Sequence, residues 1–189
     1  MKRKAILTII VIAAITISFK PKAGVIGTIF PAMECEDYNG KAVSLPTDTK
    51  GKYTLFCIAF STAAETDLKT WINPIYNKFI GKVDASKADV FDVHVDYDVN
   101  LYFVPMFTGF NKLASNSSKE KIKSKTDKEL WPYLLFYDGG KTYTDELDFK
   151  KRDVPYFFVL DKTGKIVYTT SGKYDDNKLE KIVDIFEEN

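Results

Sequence analysis

The stretch VPYFFVLDKTGKIVY, residues 154–168, decides the fold. Two apolar runs flank the short sequence DKTG at 161–164. A glycine at the end of such a sequence supplies the left-handed backbone conformation that a tight turn needs. The stretch therefore predicts an antiparallel β-hairpin with strands at 156–160 and 165–169.

An amphipathic helix is predicted directly after the hairpin. Asp175 or Asp176 is placed to cap its start, because aspartate side chains accept hydrogen bonds from the free amides of a first helical turn. The apolar residues that follow have the spacing i, i+3, i+4, i+7 of one helical face: Leu179, Ile182, Val183 and Phe186. We expect this face to pack against the sheet to which the hairpin belongs.

A β-α-β unit is predicted upstream of the hairpin. Residues 53–60, YTLFCIAF, form an uninterrupted apolar run of strand length, which indicates a central strand. Residues 62–79 carry an apolar stripe at helical spacing with Pro74 inside it, so we expect a kinked helix. Residues 90–95, VFDVHV, are predicted to be the second strand of the unit.

The remaining segments flank or interrupt this unit. Residues 27–45 predict an N-terminal β-hairpin with Asn39-Gly40 at its turn. Residues 100–130 begin with the aromatic sequence NLYFVPMF and continue into a polar, lysine-rich part. We expect them to form an inserted segment, an exposed helix or a loop, between core elements. The lysines at 119–128 alternate with serine and acidic residues, which is typical of a solvated surface.

The start of the chain has the composition of an export signal. The basic sequence KRK at 2–4 is followed by 15 residues without a charge at 5–19 and then by KPK at 20–22. This apolar run is shorter than the roughly 20 residues of a typical membrane-spanning helix. Residues 1–23 therefore predict a signal peptide, with an uncleaved membrane anchor as the alternative and as the only expected membrane contact. The mature domain is expected to span 24–189 in the periplasm or the extracellular space, where disulfides are permitted.

The composition excludes several functional classes. Lysine plus arginine total 27 and aspartate plus glutamate 26, and without residues 1–23 the acidic residues are in slight excess. A mildly acidic body is unsuited to neutralise phosphates, so no nucleic acid partner is expected. One histidine and two cysteines leave little material for a zinc site, and we expect neither a metal nor a cofactor. Hydrophobic residues at 45% are sufficient for a packed core.

With its elements in this order, the chain resembles the thioredoxin-like fold, in the branch of peroxiredoxins and membrane-anchored thiol-disulfide reductases. The sequence GTIFPAMECEDYNGKAVSL followed by GKYTLFCIAF is similar to the family's opening, and VPYFFVLDKTGKIVY is similar to its terminal hairpin. The resemblance covers 24–189 and implies an α/β domain with a central mixed sheet flanked by helices. It further implies that Pro155 is cis and that its loop faces the active site.

The chain departs from this family where the family's chemistry lies. Active members carry one or two cysteines after the central strand, at the position of Glu65 or Thr66, but residues 61–69, STAAETDLK, contain none. A thiolate at a helix amino terminus is the nucleophile of this chemistry, and neither residue can replace it. Glu65 instead has the spacing of a capping box with Thr62. The family's redox activity is therefore not expected here.

The two cysteines lie elsewhere in the chain. Cys57 is in the middle of the predicted central strand, where burial would raise the pKa of its thiol and make it a packing residue. Cys35 is in the first hairpin. A disulfide between Cys35 and Cys57 is left open by the even count and the oxidising compartment.

These features favour a non-catalytic protein that binds a protein or an extended peptide, as an assembly factor does. In the family, the loop before the terminal hairpin lines a groove that receives an extended peptide by strand-like pairing. The chain is also similar, in the helix with Trp71 and Pro74, to the mitochondrial ATP synthase assembly-factor family, which has this fold without the cysteine pair. The expected binding residues lie in the loop, at the start of the helix and in the aromatic segment: Val154, Pro155, Tyr156, Thr62, Glu65, Thr66 and Phe107.

Two alternatives belong to other functional classes. A thiol-disulfide oxidoreductase or peroxiredoxin-like antioxidant enzyme would have to use Cys57 or Cys35 as its reactive thiol. A carrier of a metal ion or a small molecule is supported only by one face at the predicted strand 90–95, on which Asp92, His94 and Asp96 alternate along the chain.

Overall fold

A computed structural model of the chain describes residues 24–81, 97–107 and 115–188. Short helical turns at Thr47–Thr49, Tyr76–Ile80 and Lys128–Tyr133 join the longer elements. Those elements are, in chain order, β1 (Met33–Asp37), β2 (Ala42–Leu45), β3 (Tyr53–Ala59), α1 (Thr62–Ile75), β4 (Val99–Pro105), α2 (Ser115–Lys125), β5 (Leu135–Phe136), β6 (Tyr156–Leu160), β7 (Ile166–Ser171) and α3 (Asp176–Glu187).

The central sheet has the order β4-β3-β6-β7 and is mixed, because β3 pairs in parallel with β4 and antiparallel with β6. The N-terminal hairpin of β1 and β2 forms a second sheet with β5. Parallel bridges from Phe103 to Leu134 and from Met106 to Tyr137 join the two sheets along β4. The expected mixed sheet flanked by helices, with an N-terminal β-hairpin, is confirmed.

Strand β3 is the centre of the core because both of its faces are covered. Successive side chains of a strand point to opposite faces. Phe56 and Ile58 accordingly pack with the hairpin and the segment at 138–153, whereas Leu55, Cys57 and Ala59 pack with α1 and α3. Removing a large apolar side chain from water contributes roughly 1.5–3 kcal/mol. The uninterrupted apolar run in the sequence is the consequence of this double burial.

Helix α1 begins one residue earlier than a capping box at Thr62 would place it. The Ser61 Oγ accepts a hydrogen bond from the Ala64 amide at 3.1 Å, so Ser61 is the cap and the predicted pairing of Thr62 with Glu65 is wrong. Pro74 lies inside the helix, where it lacks an amide hydrogen. The α-helical part ends at the next residue and continues as a wider turn.

The predicted insertion at 100–130 starts too early, because β4 lies within it. Strand β4 pairs with β3 along its whole length, so its residues belong to the central sheet. The polar helix α2 follows as the inserted part. Three predictions lie outside the described residues: the strand at 90–95, the face with Asp92, His94 and Asp96, and the N-terminal segment 1–23.

Lys119 of α2 is buried, in contrast to the solvated surface predicted for its lysine run. It is 5% exposed, and its Nζ lies 3.1 Å from a Glu36 carboxylate oxygen and 3.0 Å from one of Asp138. Burial by itself would lower the pKa of Lys119, but the hydrogen bonds and charges of Asp138 and Glu36 outweigh it and raise the pKa. These two ion pairs of Lys119 connect α2 to β1 and to the segment that follows β5.

The terminal hairpin turns as predicted. The Asp161 carboxylate accepts hydrogen bonds from the Thr163 amide at 2.8 Å, the Thr163 hydroxyl at 2.6 Å and the Lys165 amide at 3.0 Å. Gly164 has a φ of +87°, which a side chain would strain, and a Cβ there would approach Pro46 to 3.0 Å. Asp175 caps α3 by accepting from the Lys178 amide.

We predict that Asp161→Ala lowers the free energy of unfolding by about 1 kcal/mol at pH 7, because three hydrogen bonds in a partly exposed turn are lost. Burial by itself would raise the pKa of Asp161, but the bonds from Thr163 and Lys165 outweigh it and hold the pKa below its ordinary value. A carboxyl with a lowered pKa stabilises the fold above its unfolded value of 3.8 and loses that effect as the pH falls through the folded pKa.

The measurement is urea unfolding from pH 7 down to pH 3, with Asp184→Ala on the exposed side of α3 as the control. The deficit of Asp161→Ala should shrink on acidification. A deficit that stays constant across this range would contradict the proposed role of the ionised carboxylate.

Candidate functional site

The candidate site lies at the carboxyl end of β3. The chain leaves the sheet at Phe60 and enters α1 after Ser61. Tyr156, the first residue of β6, lies directly opposite Ile58 of β3. The loop with Val154 that precedes β6 is therefore at the same end of the sheet as the start of α1, as the sequence predicts.

The first two turns of α1 form the exposed side of this site. Thr62 and Thr66 are exposed and Glu65 is half-buried. The Thr66 hydroxyl donates to the Thr62 carbonyl at 2.9 Å, so it is bonded within its own helix. No cysteine occurs at residues 60–69. What this helix start offers is a set of small polar side chains and the free amides of a first turn, without a nucleophilic thiol.

Two of the predicted binding aromatics are buried beneath the surface of the site. Tyr156 is 7% exposed and Phe107 is 6% exposed. The Tyr156 ring packs with Phe60 and Phe149 at centroid distances of 6.1 and 4.7 Å. Its hydroxyl accepts from the Lys151 amide at 2.8 Å and donates to the Lys151 carbonyl at 3.1 Å. Tyr156 thus fixes the loop through its hydrogen bonds to the Lys151 backbone.

The Val154–Pro155 bond is trans, so the cis proline expected from the family resemblance is wrong. Among the described residues, the cis peptide bond is Leu45–Pro46. The trans form is the ordinary state of a peptide bond before proline. Pro155 directly precedes β6, and the Pro155 carbonyl accepts a hydrogen bond from the Gly172 amide at 2.9 Å.

A hydrogen-bond relay connects Pro155 to α1. In a regular antiparallel pair, the Gly172 carbonyl would also accept a hydrogen bond from the amide of the opposite residue, but Pro155 has no amide hydrogen. The indole of Trp71, in α1, replaces the missing donor: its Nε1 donates to the Gly172 carbonyl at 2.9 Å. The indole is fully buried and packs on Phe157 with a centroid distance of 4.1 Å. The relay Trp71–Gly172–Pro155 therefore fixes the loop relative to the helix.

Sequence reasoning did not find this relay. The apolar stripe of α1 places Trp71 in the core without naming a partner for its indole. The available signals were that a buried indole needs an acceptor and that a proline at a strand start leaves a carbonyl unpaired. Neither signal identifies Gly172, which lies 101 residues away from Trp71.

Both cysteines are buried and free, on opposite faces of the sheet. Cys57 is 0% exposed in the cluster beneath α1, and Cys35 is 5% exposed in the other cluster. They form no disulfide, because β3 and its side chains separate them. Burial raises the pKa of the Cys57 thiol well above its ordinary value. Burial, assisted by the charges of Glu34 and Asp138, raises the pKa of Cys35 to about 12.

Within residues 24–81, 97–107 and 115–188, no group of three histidine, cysteine, aspartate or glutamate side chains is arranged to hold a metal ion. In the same ranges, no helix combines the length and the apolar character needed to cross a bilayer.

Comparisons with known proteins show the fold of the chain. It matches no protein-family model and no curated protein at a significant level. Among solved structures it is similar to the C-terminal domain of a protein described as a thiol-disulfide oxidoreductase from Bacteroides thetaiotaomicron, with 18% identity, 87% of this chain and 97% of that chain covered, and a TM-score of 0.55.

Two further structures have a TM-score of 0.51 and an identity of 17%. The exposed lipoprotein thioredoxin of Streptococcus pneumoniae aligns over 84% of this chain and 100% of its own. Copper-bound Sco1 of yeast aligns over 90% of this chain and 96% of its own. Identities this low establish a shared architecture and leave activity to be argued from the residues.

We predict that Trp71→Phe lowers the free energy of unfolding by about 1–2 kcal/mol and accelerates hydrogen exchange at the Gly172 amide, because the Gly172 carbonyl loses its donor. Trp131→Phe is the matched control, since the Trp131 Nε1 donates to the Thr126 carbonyl at 3.0 Å, away from the loop. Equal exchange at Gly172 in both variants, measured by nuclear magnetic resonance, would show that the relay does not hold the loop.

We also predict that neither native cysteine reacts with iodoacetamide below pH 8.5 at a measurable rate, because burial keeps both thiols protonated and covered. Denaturant should expose both. Thr62→Cys is the positive control, because it places a thiol at an exposed helix start, where the free amides lower its pKa. Mass spectrometry locates the label, and rapid native labelling of Cys57 or Cys35 would contradict the structure.

Proposed function

From the thioredoxin-like fold of this chain, we propose that it is an exported, non-catalytic protein that binds another protein or an extended peptide. The site is the start of α1 together with the Val154–Pro155 loop. One observation carries the proposal: the exposed helix start has no cysteine at 60–69, while both thiols of the chain are buried in the core.

Thiol chemistry is poorly supported by this arrangement. Thiol-disulfide exchange needs a thiolate that a substrate sulfur can reach. Cys57 lies in the middle of β3 between Phe103 and Phe157, and its pKa is raised by burial. Cys35 is similarly covered and protonated. An oxidoreductase or peroxiredoxin-like enzyme using either thiol would need the core to open in every catalytic cycle.

Binding, in contrast, is supported by the features that remain. Thr62 and Thr66 are exposed, and the relay through Gly172 holds the neighbouring loop in a fixed position. A rigid surface loses little conformational entropy on association, so more of the contact energy is retained as affinity. Extended peptides are bound by pairing with exposed backbone and by placing alternate side chains in adjacent pockets.

Export is proposed on the basis of the N-terminal segment. The basic residues at 2–4 and the uncharged run at 5–19 are the pattern of a signal peptide or of an N-terminal anchor. A role as an assembly factor outside the cytoplasm would agree with both the segment and the binding site.

We predict that a benzophenone photocrosslinker at Thr62 or Thr66 of the full chain, produced in its own cells, captures one defined partner. The matched control carries the same photocrosslinker at Glu180 or Lys181, which are exposed on α3. These positions should not capture that partner. Capture should persist in a variant that combines Cys35→Ala with Cys57→Ala, because the thiols are not used.

Two results would argue against the proposal. Identical products from the α1 and α3 positions would show that contact at α1 is unspecific. Loss of capture in the variant without cysteines, with an unchanged thermal unfolding midpoint, would favour the thiol enzyme.

A further inference from the structure

Among the residues that the structure describes, β7 is an edge strand and only half of its outer side is covered. Beside its first part, the Ile166 amide donates to the Thr28 carbonyl at 2.8 Å, and the Gly27 amide donates to the Ile166 carbonyl at 2.7 Å. Ile29 forms an antiparallel bridge with Lys165. The chain itself thus adds a short extended piece to this edge and then turns away at Val25, whose carbonyl accepts from Thr28.

The second part of β7 directs backbone groups to the open side. Gly172 and Pro155 form a hydrogen-bonded pair, and such pairs alternate along antiparallel strands. Thr170 therefore bonds to β6, while the amide and carbonyl of Thr169 point away from β6. Ser171 also points outward, and its carbonyl accepts from the Lys178 Nζ at 2.9 Å. Thr169 thus supplies a donor and an acceptor in the geometry of a ladder, and no strand of the described part of the chain pairs with them.

A groove of about 380 Å³ runs beside these groups. We call it the β7 groove. Its walls include apolar side chains, the exposed edge, two lysines and one carboxylate: Val25, Val154, Thr169, Lys150, Lys151 and Asp148. Lys150 pairs with Asp148 at 3.3 Å and keeps 79% of its side chain exposed. Lys151 is exposed and makes no ion pair with any residue in the described ranges.

We propose that the β7 groove receives an extended acidic segment of a partner protein, which pairs with β7 as an added strand. The backbone groups of Thr169 would bind its main chain, the apolar wall would take alternate side chains, and Lys150 and Lys151 would face its carboxylates. The inference rests on the proposed function and specifies its partner, since Val154 belongs both to this groove and to the site at α1.

The charge of the groove decides between occupants. A second copy of this chain would bring its own Lys150 and Lys151 close to the same edge and repel them. An acidic strand would instead bring carboxylates to Lys151 and to the exposed side of Lys150, which Asp148 already pairs. The backbone of such a strand would also match the open ladder, which a lipid surface cannot do. The residues at 27–29 show that this edge accepts an antiparallel extended segment.

The probe for this proposal is a short fluorescein-labelled peptide of alternating valine and glutamate, with binding to the full chain followed by fluorescence anisotropy. We expect saturable binding that weakens with added salt. Combining Lys150→Glu with Lys151→Glu should weaken it at least about tenfold. Lys181→Glu on α3 is the matched control and should change it little.

N-methylated peptides test the pairing without altering the protein. Methylating alternate amides on one side of the peptide should abolish binding, whereas methylating the other side should leave it, because only one edge of an added strand meets β7. Equal effects of both peptides, or no saturable binding of the parent peptide, would overturn the proposal. Binding to phosphatidylglycerol vesicles without peptide binding, or dimerisation through this edge, would also overturn it.

Different experimental results would refute the proposal for the α1 site and the proposal for the β7 groove. Peptide binding that persists while crosslinkers at Thr62 capture nothing would remove the proposed function and leave the groove. Capture at Thr62 without any peptide binding would remove the groove alone.

Discussion

The missing amide hydrogen of Pro155 is the constraint on which the site depends. Because proline cannot complete the pair with Gly172, the carbonyl of Gly172 must find another donor inside the core, and the Trp71 indole is that donor. Two hydrogen bonds on Gly172 therefore join the long helix, the start of β6 and the end of β7. Because three elements share this connection, the loop with Val154 has a fixed position relative to β3. A partner would therefore bind a surface that is already formed.

The same packing explains why the chain's thiols are unsuited to chemistry. Strand β3 must be apolar on both faces, since helices cover one side and the segment at 138–153 covers the other. A cysteine in such a strand is a small apolar side chain whose ionisation would cost the full desolvation of a thiolate. The exposed helix start, where ionisation would be favoured, carries Thr62 and Thr66 instead. In this molecule both thiols are inaccessible, and the accessible helix start carries no thiol at 60–69.

How far the sequence predicts the structure depends on the range of the interaction. Local patterns were sufficient for β3, the terminal hairpin and α3, because strand alternation, turn residues and helical spacing act within a few positions. The sequence places residues 100–105 of β4 in the insertion, because their aromatic residues have no clear period and their partners in β3 lie 46 residues earlier. Lys119 was assigned to the solvent for the same reason, as its acidic partners come from β1 and from the end of β5. In the site, topology predicted which segments meet, whereas the burial of Tyr156 required the packing of a loop that no local pattern describes.

Recognition through backbone groups has a consequence for the kind of partner that fits. An edge strand and a rigid loop recognise the extended conformation of a segment and the alternation of its side chains. They depend less on the identity of any single residue. A partner segment that is unstructured before binding must lose its conformational entropy on the surface, which lowers the affinity for a given contact area. Lys150 and Lys151 would speed the encounter with the proposed acidic segment, and added salt would weaken this attraction. The proposed complex would therefore form readily and dissociate again, as the proposed role in assembly requires.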